Sequence, residues 1–331
     1  MPSLKLPAAG ALVLASTLVL AGCAGTAPSP SSTDDGTLTV VASTNVYGDI
    51  AQAIGGELIE VTSIIDSISQ DPHSYEASAK DQLTVSKADL LIENGGGYDA
   101  FLDALIEATG TGAPVVTAVE FSHDWPENGG HSEEEHDHAD DEATDAADDH
   151  AGHDHVEGFN EHVWYDPHTI EHVAEEIAHE LAEIDPDNAA TYEATYADFA
   201  AGIADIEASL DDIAATYAGT QIFVTEPVPL YLAAAAGLEN ATPAAFSEAV
   251  EEGQDVPPAT LLEALTIVAS GDVSALIVNA QTGGAETSEV ITKAGDAGIP
   301  VIEFTELVPE GETYLTWMQA NVDALAGTLA R

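Results

Sequence analysis

TYEATYADFAAGIADIEASLDDIAATY occupies residues 191–217, and its apolar residues decide how the chain is put together. Tyr192, Tyr196, Phe199, Ile203, Ile206, Leu210, Ile213 and Tyr217 recur at alternating steps of four and three. That is the period of an α-helix with one continuous buried stripe. Asp185-Pro186 stands ahead of it, a carboxylate at the N-cap followed by a proline at the first helical position. The helix is therefore expected over 186–218, ~30 residues and so ~45 Å long at 1.5 Å per residue. A coiled coil could carry the same stripe, but both flanks have a different pattern that favours a rod between two halves.

Working outward, short β-branched runs alternate with helical segments. Ahead of the rod, 38–43, 58–65, 89–95 and 114–119 read as strands, with helices over 45–54, 79–88 and 98–108 between them. Asp166-Pro167 opens a further helix. Behind the rod, 221–225, 274–279 and 300–304 read as strands, with helices over 228–236, 258–270, 286–297 and 313–329. This alternation is the signature of parallel sheets covered on both faces. The expected fold is α/β, with lobes over 38–185 and 219–331 joined by the helix of 186–218.

The first residues carry a single Lys5, an apolar run over about 6–20, and then Leu20-Ala21-Gly22-Cys23. The run is too short to span a bilayer comfortably, so 1–22 reads as a secretory signal peptide. The Leu-Ala-Gly-Cys ending resembles the lipobox of prokaryotic lipoproteins, which implies cleavage before Cys23 and a diacylglycerol on its sulfur. Cys23 is the sole cysteine, so the exported domain has no disulfide and no thiolate ligand. A tether rich in Ser, Pro and Thr follows over 23–37.

The 331 residues include 60 Asp and Glu against 5 Lys and Arg, a net charge of −55. Such a polyanion repels nucleic acid and anionic lipid head groups, which excludes both as partners. Near-absence of lysine under an acidic surface also fits a protein that works in high salt, where self-repulsion is screened. Six of the 12 histidines, His131, His136, His138, His150, His153 and His155, fall in one acidic run without an apolar residue larger than alanine. The run either solvates a disordered loop, expected over 122–160, or collects metal.

Three further stretches offer ligands. His73 lies in SQDPHSYEAS, after the second strand, where the carboxyl ends of α/β sheets bind ligands. Taken alone, it could equally be a surface histidine. In EHVWYDPHTIEHVAEEIAHE, His168 and His172 stand four apart and could chelate. Together with His179, however, they fall with Glu171, Glu175 and Glu176 opposite the apolar face, and read as a solvated helix side. His162 precedes that helix and cannot share its exposed face. Glu226, in FVTEPVPLYL, ends a strand of the second half. It is either a cleft carboxylate or an acid favoured by a helix N-terminus.

In this order, the motifs resemble the metal-specific solute-binding lipoproteins of ABC transporters, the zinc/manganese family, over nearly the whole mature chain. The resemblance rests on Asp71–Glu76 (DPHSYE), Ser86-Lys87-Ala88-Asp89-Leu90 leading to Asn94-Gly95, the acidic histidine run and His162-Val163-Trp164-Tyr165-Asp166-Pro167. It continues through 185–192 (DPDNAATY) and Tyr314-Leu315-Thr316-Trp317-Met318. It implies two Rossmann-like lobes with a long rigid linking helix, a metal site in the cleft, and release by local loop movement rather than wide closure. It implies His73, His162 and Glu226 as metal ligands. The family's fourth ligand is expected after the strand at 274–279, as an aspartate in manganese-type members. Residues 279–284 read NAQTGG, so that position falls to water, to Gln281 or to a histidine of the run.

Two imidazoles and one carboxylate with an open position suit Zn²⁺, whereas Mn²⁺ prefers more oxygen. The expectation is an extracytoplasmic monomer, anchored to the membrane through Cys23. It binds Zn²⁺ without turnover and passes it to an ABC permease, with the histidine run as an accessory zinc collector. Manganese or iron delivery on the same fold is the alternative. A zinc hydrolase is disfavoured, because neither His-Glu-x-x-His nor Gly-x-Ser-x-Gly occurs.

Overall fold

Two four-stranded sheets, parallel throughout, organise the protein in a computed structural model that describes residues 37–128, 156 and 158–331. The signal segment, Cys23, nearly all of the tether and the six histidines of the acidic run lie outside the described residues. The first half contains β1 (Leu38–Thr44), α1 (Asn45–Gly55), β2 (Ile59–Ile65), α2 (Ala79–Val85), β3 (Leu90–Glu93), α3 (Ala100–Thr109) and β4 (Val115–Thr117). Its strand order is β2-β1-β3-β4. Two helices follow, α4 (Pro167–Ile184) and α5 (Ala189–Tyr217). The second half runs β5 (Gln221–Val224), α6 (Leu230–Ala235), β6 (Glu239–Asn240), α7 (Ala244–Glu251), α8 (Pro258–Ala269), β7 (Val273–Asn279), α9 (Ala285–Ala297), β8 (Val301–Phe304) and α10 (Tyr314–Leu329). Its order, β6-β5-β7-β8, repeats the first.

The strand order reverses beside β1 in one sheet and beside β5 in the other. At such switch points, the loops after the strand carboxyl ends part and leave a crevice. The loops after β2, β3, β5, β7 and β8 supply the polar groups described below.

The rod is α5. Tyr192, Phe199, Ile203, Ile206, Leu210 and Ile213 are buried, and Tyr196 and Tyr217 pack half-buried against the same core. That core is continuous from Val40 and Ile92 of the first sheet to Ile222 and Ile277 of the second. Each fully buried large apolar side chain contributes ~1.5–3 kcal/mol before entropy, so α5 binds both halves into one hydrophobic unit.

Helix α4 begins as its sequence predicts. Asp166 caps it, its carboxylate accepting from His168 N at 3.2 Å, with Pro167 in the first turn. The start expected for α5 at Asp185-Pro186 is three residues early. Asp185 instead ends α4, and its Oδ2 accepts from Asn188 Nδ2 at 2.7 Å and from the Tyr192 hydroxyl at 3.0 Å. The carboxylate is thus committed to a turn, and Asn188 takes the N-cap position. Of the loop expected over 122–160, residues 122–128, 156 and 158–160 are described. Asn128 Nδ2 donates to Ser122 O at 2.9 Å, and Trp125 meets the Phe159 ring edge-on at 5.0 Å. Two elements have no counterpart in the sequence reading, the short β6 and α7.

Candidate metal centre

His73 sits half-buried on the turn between β2 and α2. The Asp71 carboxylate shapes that turn, accepting from His73 N at 3.0 Å and from Ser74 Oγ at 2.7 Å. The imidazole meets Tyr98 edge-on at 4.8 Å and lies 6.0 Å, centroid to centroid, from His162.

His162 is 1% exposed and precedes a single 3-10 turn, Val163–Tyr165. Its Nδ1 is 2.7 Å from Asn160 Oδ1. That acceptor assigns the proton to Nδ1 and leaves Nε2 as the basic nitrogen. Tyr98 and Trp164 stand against the ring at 5.8 and 5.0 Å and keep water from it. Both halves hold this segment, the first through Asn94 Nδ2, which donates to Glu161 O at 2.9 Å. Asn160 Nδ2 donates to Pro227 O at 3.2 Å, the Tyr231 hydroxyl to Asn160 O at 2.8 Å, and the Tyr165 hydroxyl to Thr305 O at 2.7 Å.

Opposite the histidines stand two carboxylates on one amide. Glu226 follows β5, Glu306 follows β8, and each is 3% exposed. Asn279, the last residue of β7, donates through Nδ2 to Glu226 Oε2 at 2.7 Å and to Glu306 Oε1 at 2.6 Å. Thr282 donates to the other oxygen of Glu226, and the Tyr98 hydroxyl to Glu306 Oε2 at 3.0 Å. Burial raises Glu226 above the usual carboxylate range, against the pull of Thr282 and Asn279. It pushes Glu306 up to about 7, with the Asn279 bond opposing and Glu226 adding to the rise. A cation placed here would reverse both shifts, since opposite charge favours the ionised form.

One ligand atom each from His73, His162 and Glu306 lies within 4.8 Å of the others. Glu306 was not foreseen. Gln281, the side chain offered for the fourth position, is engaged elsewhere, its Oε1 accepting from Glu306 N at 2.8 Å and Leu307 N at 3.1 Å. These bonds make Gln281 a support for the Glu306 backbone. Glu226 neighbours this triad through Asn279 but is not part of it. Glu306 lies two residues past the end of β8, as Glu226 lies two residues past the end of β5.

A second group shares His73. Ligand atoms of His73, Glu161 and Glu251 also lie within 4.8 Å of one another. Glu251 ends α7, and its Oε1 is 3.5 Å from His162 Nε2. Burial drives Glu251 well above the carboxylate range, helped by the charges of Glu161, Glu226 and Glu306. By contrast, His168, His172 and His179 are exposed on α4, the solvated face that the helical pattern predicts.

The chain matches a family model, the periplasmic zinc-uptake complex component A, over residues 40–328. It is 28% identical over 328 residues to the manganese-binding lipoprotein MntA of Halalkalibacterium halodurans, covering 97% of each. It is 26% identical to the iron ABC transporter substrate-binding lipoprotein MtsA of Streptococcus pyogenes serotype M1, covering 96% of each. The fold superimposes on the periplasmic zinc-binding protein TroA of Treponema pallidum with a TM-score of 0.68 at 16% identity, over 89% of this chain and 100% of that one. The chain belongs to the zinc-uptake complex component A family, the metal-binding lipoproteins that serve ABC transporters outside the cytoplasm as solute receptors rather than enzymes.

Proposed function

We propose that this protein captures one divalent transition-metal ion on His73, His162 and Glu306, with Glu226 closing the shell, and hands it to a membrane permease. The observation that carries this reading is the convergence of His73, His162 and Glu306 to within 4.8 Å in the cleft. In the same reading, Cys23 carries the lipid anchor and the protein acts as a monomer. Release is local, because the segment bearing His162 is bonded to both halves.

The cargo assigned on ligand chemistry is Mn²⁺ or Fe²⁺. Two imidazoles and two carboxylates make an oxygen-rich set, and a carboxylate that binds through both oxygens lifts the coordination number above four. The sequence argument for zinc rested on the lack of an aspartate at 279–284, and counting Glu306 in the shell weighs against it. Zinc is the second reading, and the six-histidine run favours it, because imidazole suits Zn²⁺ better than Mn²⁺. In that reading, His131, His136, His138, His150, His153 and His155 load zinc weakly. The run returns to the described chain at Val156, just ahead of Asn160 and His162.

Native mass spectrometry of the mature chain with Mn²⁺, Fe²⁺ and Zn²⁺ in competition tests both readings, with and without residues 132–155. His73→Ala and His162→Ala should each abolish the tightly held ion, and unchanged loading would mean that the site is elsewhere. If the shortened chain holds manganese and only the full chain gathers extra zinc, the cleft and the run have separate preferences. A single tight zinc in both forms would assign the cleft to zinc.

A further inference from the structure

We propose that Asn45 is a positioning residue for the metal cleft. It anchors one end of a hydrogen-bonded brace that runs through the start of α1 and presets the distance between His162 and Glu306. The inference rests on the functional reading above and adds to it the residues that space its ligands.

Three observations carry it. Asn45, the first residue of α1, pairs with Val308, 263 residues away in the second half. Its Nδ2 donates to Val308 O at 2.8 Å, and its Oδ1 accepts from Val308 N at 3.1 Å. A carboxamide that takes both backbone groups of one residue fixes direction as well as distance. Gln281 holds the N–H groups of Glu306 and Leu307 from within the second half, and Asn45 ties the same turn to the first half.

The brace continues from the same turn of α1. The Tyr47 hydroxyl donates to Asn94 Oδ1, and Asn94 Nδ2 donates at 2.9 Å to Glu161 O, the carbonyl joined to the nitrogen of His162. Tyr47 and Asn94 are fully buried. Asn94 follows β3 as Asn279 ends β7, and β3 and β7 hold the same place in the two sheets. Between the two ends, α1 is seated firmly, because a Cβ at Gly48 would collide with Ser63 Oγ of β2.

Spacing matters because an ion bound to both His162 and Glu306 must still any motion between them, and that ordering weakens binding. Loss of an outer partner typically costs ~10–100-fold in metal affinity. The lower end applies to Asn45, since the Tyr165 hydroxyl also joins the two segments, through Thr305 O at 2.7 Å. Asp49 supplies the comparison. It lies one turn further along α1, and its Oδ2 accepts from Tyr314 N at 2.7 Å, a bond between the halves that lies beyond the turn bearing Glu306.

The test uses the full mature chain with Mn²⁺ alone as the probe, read by competition with a chelating dye. Asn45→Ala should weaken affinity about tenfold. With protein in excess, the electron paramagnetic resonance spectrum of the bound Mn²⁺ should broaden as its ligand geometry becomes less uniform. Tyr47→Phe, which cuts the brace and keeps the ring, should broaden the spectrum in the same way. Asp49→Ala should lower the Tm, leave affinity within threefold and leave the spectrum unchanged. A loss under threefold for Asn45→Ala, or a larger loss with an unaltered spectrum, would overturn the positioning role. Equal losses for Asn45→Ala and Asp49→Ala would overturn it as well, by reducing both to general ties between the halves. An unaltered spectrum for Tyr47→Phe would overturn the reach of the brace to His162. If His73→Ala and His162→Ala leave affinity intact, the functional reading itself fails, a result distinct from these.

Discussion

Asn279 is the most informative residue to perturb, because one side chain holds both carboxylates. Its Nδ2 donates to Glu226 at 2.7 Å and to Glu306 at 2.6 Å, while its Oδ1 accepts from Gln281 N at 3.0 Å. The amide has one possible orientation, since flipping it would set an oxygen against two carboxylates. Asn279→Ala removes two hydrogen bonds to charged groups, each worth about 1.5–3 kcal/mol. Part of that loss falls on the metal-free protein as well, because buried Glu226 and Glu306 each lose a donor before any ion arrives. The part that reaches affinity is the freedom the two carboxylates gain, and removing such an outer partner typically costs about 10–100-fold, or about 1.4–2.7 kcal/mol. Mn²⁺ and Zn²⁺ dissociation constants from chelator competition should rise by that factor, and the metal-free Tm should fall. Affinity within twofold of the unchanged chain would refute the reasoning and leave Thr282 and Tyr98 as sufficient holders.

Three further outcomes follow from the same geometry. Glu306→Gln should cost more Mn²⁺ affinity than Gln281→Ala, which loses only a support for residues 306 and 307; the reverse order would restore Gln281 as a ligand. Glu93 is raised to about 8, chiefly by burial, with Asp99 and Asp103 adding and Thr117 opposing. Its folded value exceeds the ordinary 4.5, so its contribution is fully present below about 4.5 and is lost as pH rises through about 8. Relative to the unchanged chain, Glu93→Gln should gain stability between pH 5 and 9, by a few kcal/mol at ~1.36 kcal/mol per unit. Urea melts at the two pH values check this, and an equal offset at both would refute it. Ile203→Ala opens a cavity in the shared core and should cost about 2–5 kcal/mol. It should shift one common unfolding transition, and separate melting of the two halves would contradict a continuous core.

How much of this was legible in the sequence depends on the length of each signal. The α5 stripe extends over seven turns, and the strands of both sheets are β-branched runs bounded by helices, so the α/β halves and the rod between them could be read directly. Helix α7 has only Phe246 and Ser247 buried, too short a pattern to register, although Gly253, at φ +64° just beyond it, is a usual stop signal. Missing that helix meant missing Glu251. Asp185-Pro186 carries the same letters as Asp166-Pro167, yet only the latter starts a helix. What separates them is the hydrogen bonding of Asp185 to Asn188 and Tyr192, which no local propensity encodes. Glu306 was hidden by composition. In a chain with 60 acidic residues, one more glutamate carries no weight until the sheet order sets its strand across β7 from β5.

That excess of acid sharpens the question of how such a chain distinguishes a bound ion from the cloud around it. Exposed carboxylates attract cations over a Debye length of about 8–10 Å, and they leave those cations hydrated. The attraction raises the encounter rate and treats all divalent ions alike. Selection requires dehydration, and dehydration requires donors that are buried and already oriented. His162 is fixed in one tautomer by Asn160, Glu226 and Glu306 are turned by a single amide, and Tyr98 and Trp164 close off water. None of these supports is acidic. The net charge of −55 brings cations to the surface, and in the proposed site the neutral hydrogen-bonding side chains behind the ligands would set which of them can be held.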